Sequence, residues 1–506
     1  MLKVFDNPSK LEALVKERYG FPDFVMIENA ALGIFRFIER GGFDKLNHHT
    51  QCLNYHTQYL NQQAQCLNQQ AQCLILCGKG NNGGDGYALA RLLGKSCRVF
   101  LFKMEEPAAK EARVQYQMCK KLGIKFVSQA QAVKMMQAAG PENPLFIVDC
   151  LFGTGFRGEL PTATQKLLDA ANKADAIRIA CDISSGLTFN AHYTVTMGEH
   201  KLALFSDRAK QVSGQVIVTD LGLDRTVFES AMKPAAFLVT EADIKLPLRT
   251  NKAAHKGTYG HTAVFAGEKS GAAIIAATAA MNFGSGLTSL VQTPDSNLKQ
   301  FKISPELMIS DGLPVKTTCA VFGPGIKEGF LPPQEIEKIP AIVFDAGVFA
   351  NPEFPDLLAK LDSRADSRIV ITPHLLELVR FCKNLKIKPE PQVTELANDP
   401  ALKIKIGQKI NKLFPNTVLV IKSANTFIAA GGQTFIVADG CPSLAKGGSG
   451  DVLAGMIAAL LAQGYSARDA AITACQTHAL AAKKIGAGTY ALTPIKLIKA
   501  VDCLTI

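Results

Sequence analysis

The chain has 506 residues and a formal net charge of +11 at pH 7, and 47% of its residues are hydrophobic while 20% are charged. This length predicts about two to four domains, and the composition is that of a soluble globular protein. No apolar run reaches the roughly 18 residues of a membrane span, and the amino-terminal segment lacks the apolar core of a signal peptide. We therefore expect a cytoplasmic protein without membrane partners.

The 13 cysteines are scattered, with no CxxC pair among them. This spacing favours reduced, buried thiols over a disulfide framework or a zinc site. The modest positive charge suits anionic small molecules. Because no basic cluster is interleaved with aromatic residues, nucleic acid is not an expected partner.

Apolar residues at helical spacing predict two helices, at residues 9–18 and 26–40. They precede a segment, residues 46–78, that contains no Asp, Glu, Lys or Arg and repeats a seven-residue unit from residues 51, 58 and 65. Each unit offers only an adjacent apolar pair, which does not form a coiled-coil seam. We interpret residues 48–72 as a low-complexity insertion, with an interaction helix as the alternative.

A short apolar strand at residues 74–77 leads into a glycine-rich loop at 78–86, and a helix is predicted at 87–93. Two further strands, at 145–148 and 177–181, end at Asp149 and Asp182. This alternation predicts a Rossmann-like, three-layer α/β/α domain, which we place at residues 1–235. Ligands of such domains bind at the carboxyl ends of the strands, so the three polar strand ends are expected to meet in one crevice.

The predicted crevice is rich in hard oxygen donors. Asn82, Asp149 and Ser185 supply amide, carboxylate and hydroxyl oxygens without histidine or cysteine, which favours an alkali or alkaline-earth cation over zinc. The glycine segments suit phosphate groups. Taken singly, Asp149 and Asp182 fit turn caps equally well. Three such clusters at successive strand ends favour a shared site.

Residues 236–506 repeat the alternation of strands, glycine motifs and helices, and they predict a second α/β domain. An alanine-rich helix is expected at residues 271–282, between strands at 262–265 and 287–291. A later strand, at 418–421, ends at Lys422. His374 and His478 are, by default, ordinary hydrogen-bonded histidines, and only a place in a shared cleft favours a role for His374.

The glycine loop at residues 447–450 stands directly before Asp451 and an apolar helical run. Glycines expose backbone N–H groups, and the start of a helix directs its free N–H groups and positive dipole end to the same point. This pattern predicts an anion site next to an acid/base. A capped helix without chemistry is the alternative.

The motifs occur in a characteristic order: NNGGDG at 81–86, VDCLFGTG at 148–155, DISSG at 182–186, KGTYGH at 256–261, GPG at 323–325, DAG at 345–347, TPH at 372–374 and GGSGD at 447–451. In this order they resemble the bifunctional NAD(P)H-hydrate repair enzyme family over nearly the whole chain, apart from the heptad segment. The resemblance implies an NAD(P)H-hydrate epimerase domain followed by a ribokinase-like, ADP- or ATP-dependent NAD(P)H-hydrate dehydratase domain. The first would interconvert the R and S hydrates, and the second would dehydrate the S form to NAD(P)H.

The resemblance also implies the sites. It assigns hydrate binding in the epimerase to Asn81, Asn82, Gly83, Gly84, Asp85, Gly153, Thr154, Gly155, Phe156, Arg157, Gly158, Glu159 and Asp182, and a potassium ion to Asn82, Asp149 and Ser185. In the dehydratase it assigns the hydrate to Ala272, Gly325, His374 and Asp451, and the nucleotide to Lys422, Ser423, Ala424, Asn425, Thr426, Gly447, Gly448, Ser449 and Gly450. Asp149 and Asp451 are the expected acid/base residues, Mg²⁺ accompanies the ADP or ATP, and a homo-oligomer is expected.

The chain departs from the family motifs at four places, and two of these changes are mild: Ser423 replaces the usual glycine and Ser449 the usual threonine. Ser184 replaces the usual proline before Ser185, which keeps the ligand serine. Leu375 and Leu376 replace the usual proline and glycine after His374, and this change bears on the shape of the hydrate pocket.

An alternative function keeps the second half as a ribokinase-like kinase of a small vitamin precursor or sugar. The first half would then be a non-catalytic dinucleotide- or protein-binding module. This alternative predicts a stable phosphorylated product, and it leaves the polar strand ends of the first half without a chemical role.

Overall fold

The computed structural model describes residues 1–39, 71–94, 96–501 and 504. It forms two compact units, one of Lys3–Ala235 and the other of Ala236–Ile506 together with Met1–Leu2. The predicted heptad insertion lies outside the described residues, except for Ala71 and Gln72 at its end. Over the described part of the chain, no helix is both long enough and apolar enough to cross a membrane.

The N-terminal unit alternates strands and helices along the chain. Its strands are β1 (Leu2–Phe5), β2 (Gln72–Cys77), β3 (Arg98–Lys103), β4 (Lys125–Val127), β5 (Leu145–Cys150), β6 (Ile177–Cys181), β7 (Tyr193–Met197), β8 (His200–Lys201) and β9 (Gln215–Thr219). Its helices are Pro8–Tyr19, Asp23–Glu39, Asn81–Leu93, Lys110–Lys121, Gln129–Gln137, Thr162–Lys173, Asp207–Val212 and Arg225–Glu229, with 3₁₀ turns at Ser185–Leu187 and Leu202–Phe205.

The main sheet of this unit has the order β4-β3-β2-β5-β6-β7-β9, and its strands pair in parallel. Alternate residues of β2 point to opposite faces: Ile75 packs into one core, and Leu74 and Leu76 pack into the other. Because a strand reverses its side chains at every residue, a run buried on both faces is apolar throughout. The predicted three-layer α/β/α architecture is confirmed.

The first glycine motif is not the loop that the sequence predicted. The helix begins at Asn81 instead of Tyr87, so most of the motif forms its first turns. A Cβ on Gly83 would lie 2.0 Å from the carbonyl oxygen of Gly78. The glycines are thus needed for close packing of the helix start against the end of β2. The spacing of residues in the sequence does not predict this contact.

The C-terminal unit contains the remaining elements. Its strands are β10 (Ala236–Leu238), β11 (His261–Ala266), β12 (Leu287–Gln292), β13 (Met308–Ser310), β14 (Cys319–Phe322), β15 (Ala341–Phe344), β16 (Arg368–Ile371), β17 (Thr417–Ile421), β18 (Thr426–Ala430) and β19 (Gln433–Val437). Its helices are Ser270–Asn282, Phe354–Asp362, Leu375–Asn384, Val393–Asn398, Pro400–Leu413, Ser449–Ala462, Ala467–Gly486 and Pro494–Val501. Short 3₁₀ turns lie at Glu241–Asp243, Lys256–Tyr259, Leu298–Gln300, Gln334–Lys338, Ala346–Ala350 and Pro442–Leu444.

The sheet of this unit runs β13-β12-β11-β14-β15-β16-β17-β18-β19-β10. Its strands pair in parallel from β13 to β17, and β18 is antiparallel to both β17 and β19. The helices Ser270–Asn282, Ser449–Ala462 and Ala467–Gly486 supply much of the apolar core on one face. The predicted α/β class of the second half is confirmed.

Candidate functional site

A cavity of about 790 Å³ lies at the carboxyl ends of β2, β5 and β6 in the N-terminal unit. Residues from all three predicted clusters line it: Asn81, Asn82, Asp85, Gly153, Thr154, Gly155, Phe156, Arg157, Glu159 and Asp182. Of the other predicted contacts, Gly83 and Gly84 are buried in the helix start, and Gly158 lies beside Glu159 in the loop after β5. The structure thus brings the three strand ends together.

Asp149 lies beneath this cavity rather than on its surface. Its side chain is 0% exposed, and Oδ1 accepts hydrogen bonds from Ser185 Oγ at 2.7 Å and from the Leu151 N–H at 3.2 Å. Oδ2 accepts one from the Ser185 N–H at 2.8 Å. Burial raises the pKa of Asp149 to about 6, against the lowering effect of the bonds from Ser185. The carboxylate holds the turn after β6 against the end of β5.

Asn82 has a buried side-chain amide whose oxygen and nitrogen make no hydrogen bond within the described part of the chain. Such an orphaned amide is costly unless a ligand or ion completes it. Its Cβ lies next to Gly153, since a Cβ built on that glycine would come within 3.7 Å of it. The Asn82 amide is therefore available to bind a ligand or ion in the cavity.

Asp182 and Lys201 form a buried ion pair on the cavity lining. Their side chains are 13% and 2% exposed, and Lys201 Nζ donates to Asp182 Oδ1. Asp182 also has a positive φ of 71°, which costs a non-glycine residue about 1–3 kcal/mol unless its surroundings enforce it. Although burial lowers the pKa of Lys201, the carboxylates of Asp182 and Glu199 raise it more, and the net change is upward.

Three more carboxyl groups surround this pair. Burial raises the pKa of Glu199 to about 8, and it also raises those of Glu12 and Asp85, with Asp182 adding to all three shifts. Glu12 and Asp85 line the cavity, whereas Glu199 is 0% exposed. The site therefore places several carboxyl groups around the ammonium group of Lys201, and burial favours the protonated form of Glu199, Glu12 and Asp85.

Asp451 lies in the first turn of the helix Ser449–Ala462 and is partly buried. Burial and the nearby carboxylate of Asp345 raise the pKa of Asp451 to about 7, while Lys422 acts to lower it. A carboxyl group that titrates near neutral pH is suited to take a proton from a hydroxyl.

Lys422 follows β17 and pairs with Asp345, with Nζ donating to Oδ1 at 2.6 Å. The same oxygen accepts a hydrogen bond from Thr372 Oγ1 at 2.8 Å. A Cβ on Gly450 would lie 3.5 Å from Lys422 Nζ and 3.9 Å from Asp345 Oδ2. The predicted nucleotide segment after β17 and the last glycine loop therefore meet at one point.

The loop before Asp451 is shaped for an anion. Gly448 has a φ of +90°, which favours glycine, and the helix begins at the next residue. The first N–H groups of a helix have no partner within it, so those near Gly450 and Asp451 face outward with the positive end of the helix dipole. From below, His478 Nε2 lies 3.0 Å from the Ser449 carbonyl oxygen, and burial lowers the pKa of this histidine to about 4.

The segment Lys422 to Thr426 is supported from a neighbouring helix. Ser423 Oγ accepts a hydrogen bond at 2.8 Å from Nζ of Lys403, which is 1% exposed, and it donates to the Asn425 carbonyl oxygen at 2.7 Å. Thr426 begins β18. Ala424, between them, completes the connection between the two antiparallel strands.

Of the predicted hydrate residues of the second unit, Gly325 lines a cavity of about 260 Å³, which Glu377 also lines, whereas Ala272, His374 and Asp451 are not among its lining residues. A Cβ on Gly325 would lie 3.3 Å from the Cβ of Ala272, which places these two residues together. His374 caps the helix Leu375–Asn384: its Nδ1 accepts from the Leu376 N–H, and the Glu377 carboxylate accepts from the His374 N–H at 2.8 Å. Leucines in place of the usual proline and glycine thus begin a regular capped helix.

Several residues of both sites were missed by the sequence analysis. Lys201, Asp345 and Thr372 had no assigned role, whereas His478 is the ordinary hydrogen-bonded histidine that was expected, with Ser449 as its partner. Their partners lie 19, 77, 27 and 29 residues away along the chain. For Asp345 and Thr372 the sequence signals were a position one residue past a strand and the first place in the DAG and TPH motifs, and no motif singled out Lys201.

Two family models match the chain. Residues 262–502 match a family described as NAD(P)H-hydrate dehydratase, and residues 24–203 match a family described as YjeF-related protein N-terminus. Each match falls within one of the two compact units.

Curated relatives match the chain over most of its length. The bifunctional NAD(P)H-hydrate repair enzyme Nnr of Helicobacter pylori is 33% identical, and the alignment covers 100% of both chains. The enzyme of the same name from Escherichia coli is 30% identical over 82% of this chain and 81% of its own. Among solved structures, the ADP/ATP-dependent NAD(P)H-hydrate dehydratase from Bacillus subtilis, co-crystallised with ATP/Mg²⁺, is 25% identical, with a TM-score of 0.41 over 51% of this chain and 92% of its own.

Proposed function

The chain belongs to the family of bifunctional NAD(P)H-hydrate repair enzymes, which restore hydrated NADH and NADPH, and we propose that each of its compact units carries one of the two reactions. The unit Lys3–Ala235 interconverts the R and S hydrates, and the unit Ala236–Ile506 dehydrates the S form with ADP or ATP. Both hydrates carry a hydroxyl group on C6 of the reduced nicotinamide ring.

The observation that carries the dehydratase proposal is the position of Asp451, a carboxyl group with a pKa of about 7 in the first turn of a helix that follows an anion loop. Asp451 takes the proton of the C6 hydroxyl, whose oxygen attacks the terminal phosphorus of the nucleotide. The N–H groups of residues 447–450 stabilise the charge that develops on the phosphoryl oxygens.

The second step of the dehydration is the loss of phosphate, which is a good leaving group, from C6. The bond between C6 and the phosphate oxygen breaks, the phosphate departs with the electron pair, and the lone pair of the ring nitrogen forms a double bond to C6. Loss of a proton from C5 then restores the dihydropyridine. The shortened nucleotide and inorganic phosphate are the other products.

Lys422 contributes charge next to the reacting groups. Its ammonium group is held by Asp345 and lies beside Gly450, where it faces the phosphate position. The carboxylate oxygens of Asp345 and Asp451 are hard donors of the type that Mg²⁺ takes, so we propose that the nucleotide binds as its magnesium complex. A magnesium ion held there would supply positive charge next to the phosphate groups.

Potassium fits the N-terminal site by its donor set. The orphaned amide of Asn82, the hydroxyl of Ser185 and the carboxylate of Asp149, which has about four lone-pair sites and accepts three hydrogen bonds, are hard oxygen donors. A bound K⁺ would order the loops that hold the dinucleotide. The expected homo-oligomer stays a prediction.

The proposal is tested by incubating the purified protein with each separated hydrate epimer, with ADP, ATP or no nucleotide. We expect epimer interconversion without nucleotide, and recovery of reduced-cofactor absorbance together with release of phosphate when nucleotide is added. Asp169→Asn, at an exposed carboxylate outside the cavity lining, serves as the control variant. A stable phosphorylated product without recovered cofactor would instead identify a kinase.

A further inference from the structure

The epimerase reaction needs a carboxyl group that can reach the C6 hydroxyl, and the predicted acid/base does not reach the cavity. Asp149 is 0% exposed, and hydrogen bonds from Ser185 and Leu151 occupy both of its oxygens. Proton transfer requires a direct contact or a single intervening water. The reacting carboxyl must therefore be another one that lines the cavity.

Asp182 has the required geometry, because its two oxygens differ in their surroundings. Oδ1 accepts hydrogen bonds from Lys201 Nζ, from Thr196 Oγ1 at 3.3 Å and from the Met197 N–H at 3.4 Å. Oδ2 lies on the other side, next to Gly153 of the cavity lining, where a Cβ on that glycine would be 3.6 Å away. One oxygen is anchored, and the other is presented to the cavity.

Asp85 is a second carboxyl residue that lines the cavity near Asp182. It is 8% exposed, lines the same cavity, and has its Oδ2 3.9 Å from the thiol sulfur of Cys181, the residue before Asp182. Burial, and then the charge of Asp182, raise the pKa of Asp85 well above its usual range. Burial therefore favours the protonated form of Asp85.

Lys201 makes its closest carboxyl contact with Asp182. Nζ contacts Asp182 directly, it lies 4.0 Å from Glu199 Oε1, and it donates to the Met197 carbonyl oxygen at 3.2 Å. Glu199 is mostly protonated near neutral pH, because burial raises its pKa to about 8. Of the groups that face Lys201, which include Glu12, Asp182 is the one in direct hydrogen-bond contact with the ammonium group.

We propose that Asp85 and Asp182 are the catalytic acid and base of the epimerase, and that Lys201 is the residue that positions Asp182. This inference rests on the proposed epimerase function. Asp85 donates its proton to the C6 hydroxyl, the C6–O bond breaks to release water, and the ring nitrogen's lone pair forms a double bond to C6. A water then adds to C6 from the other face and gives a proton to Asp182. The proton returns from Asp182 to Asp85 through solvent, and nothing is oxidised or reduced.

The test follows interconversion of the two epimers by chromatography in the absence of nucleotide, so that dehydration does not contribute. Asp182→Asn and Asp85→Asn are each expected to lower kcat by at least about a hundredfold with a smaller change in KM. Because Asp182→Asn leaves a buried ammonium group unpaired, the double variant Asp182→Asn/Lys201→Met provides a charge-balanced counterpart. Thermal unfolding checks every variant, with Asp169→Asn as the control.

A positioning role for Lys201 predicts more than a loss of rate. In Lys201→Met the carboxylate of Asp182 loses the cation that stabilises its negative charge, and the acidic limb of the rate profile is expected to move to higher pH. Lys201→Arg keeps the charge and is expected to restore the position of this limb. A merely structural role would lower the rate of Lys201→Met equally at every pH, and that result would overturn the assignment.

The outcomes separate this inference from the function on which it rests. If the wild-type protein fails to interconvert the epimers, the epimerase proposal itself is wrong. If the wild type is active and a folded Asp182→Asn or double variant stays within tenfold of it, the epimerase stands and the carboxyl pair is wrong.

Discussion

Asp149 and Asp451 were predicted from the sequence to play the same part in the two halves of the chain, and the structure gives them different surroundings. Asp149 is 0% exposed, and its carboxylate is enclosed by donors from Ser185 and Leu151. Asp451 is partly buried beside an anion loop, with Asp345 as a like charge and Lys422 as a cation close by. Burial raises the pKa of both, to about 6 and about 7.

The difference shows that a raised pKa does not by itself identify a reacting carboxyl group. For Asp149 the surrounding donors satisfy the charge and fix two strand ends, which is a structural role. For Asp451 the nearby Lys422 compensates burial and the charge of Asp345 only in part, and this is a cost to stability that a functional site retains. Substitution to asparagine at each position should separate the two roles.

The largest effect is expected from Asp451→Asn. Without the acid/base, dehydration should fall by about 10² to 10⁴ or more, while nucleotide binding and epimer interconversion persist. Because the folded-state pKa of Asp451, about 7, lies above its ordinary value of 3.8, stability falls as the pH rises from about 4 to about 7 and stays at the lower level above that. The variant should therefore be at least as stable as the wild type at pH 8, as measured by denaturant unfolding. Near-normal turnover would refute the assignment.

Asp149→Asn should show the opposite pattern. An amide presents N–H groups where the carboxylate accepted from Ser185, so a buried donor is left unpaired and the free energy of unfolding should drop by about 1–3 kcal/mol. Denaturant unfolding measures this drop, and Asp169→Asn is the matched control. Full stability with complete loss of epimer interconversion would instead give Asp149 a direct part in the reaction, as the reacting carboxyl or as a ligand of the proposed potassium ion.

The smallest expected effect is a shift in pH dependence. Dehydration should require ionised Asp451, so kcat/KM should rise with pH through an apparent pKa of about 7. Asp345→Asn removes the like charge and frees Lys422, and both changes favour ionisation of Asp451. The rise should therefore move to lower pH, as initial rates across a pH series would reveal. An unmoved profile would mean that another group limits the rate.

Much of the fold could be predicted, because its signals are local. The apolar strand Gln72–Cys77 and the alanine-rich helix Ser270–Asn282 follow from composition and spacing over a few residues. The start of the first site helix was predicted at Tyr87 instead of Asn81, since the contact of Gly83 with Gly78 depends on how the helix packs. The antiparallel pair β18–β19 was not predicted.

The sequence by itself determined the order of the strand ends and which polar residues stand at them, and therefore the chemistry available at each site. Only the tertiary structure decided which carboxyl groups face a cavity. It encloses Asp149, presents Asp182 and brings Lys201 to it across 19 residues of chain. The physical reason is that the exposure and ion pairing of a side chain depend on neighbours from other strands and helices. The spacing of residues along one strand or helix does not predict these neighbours.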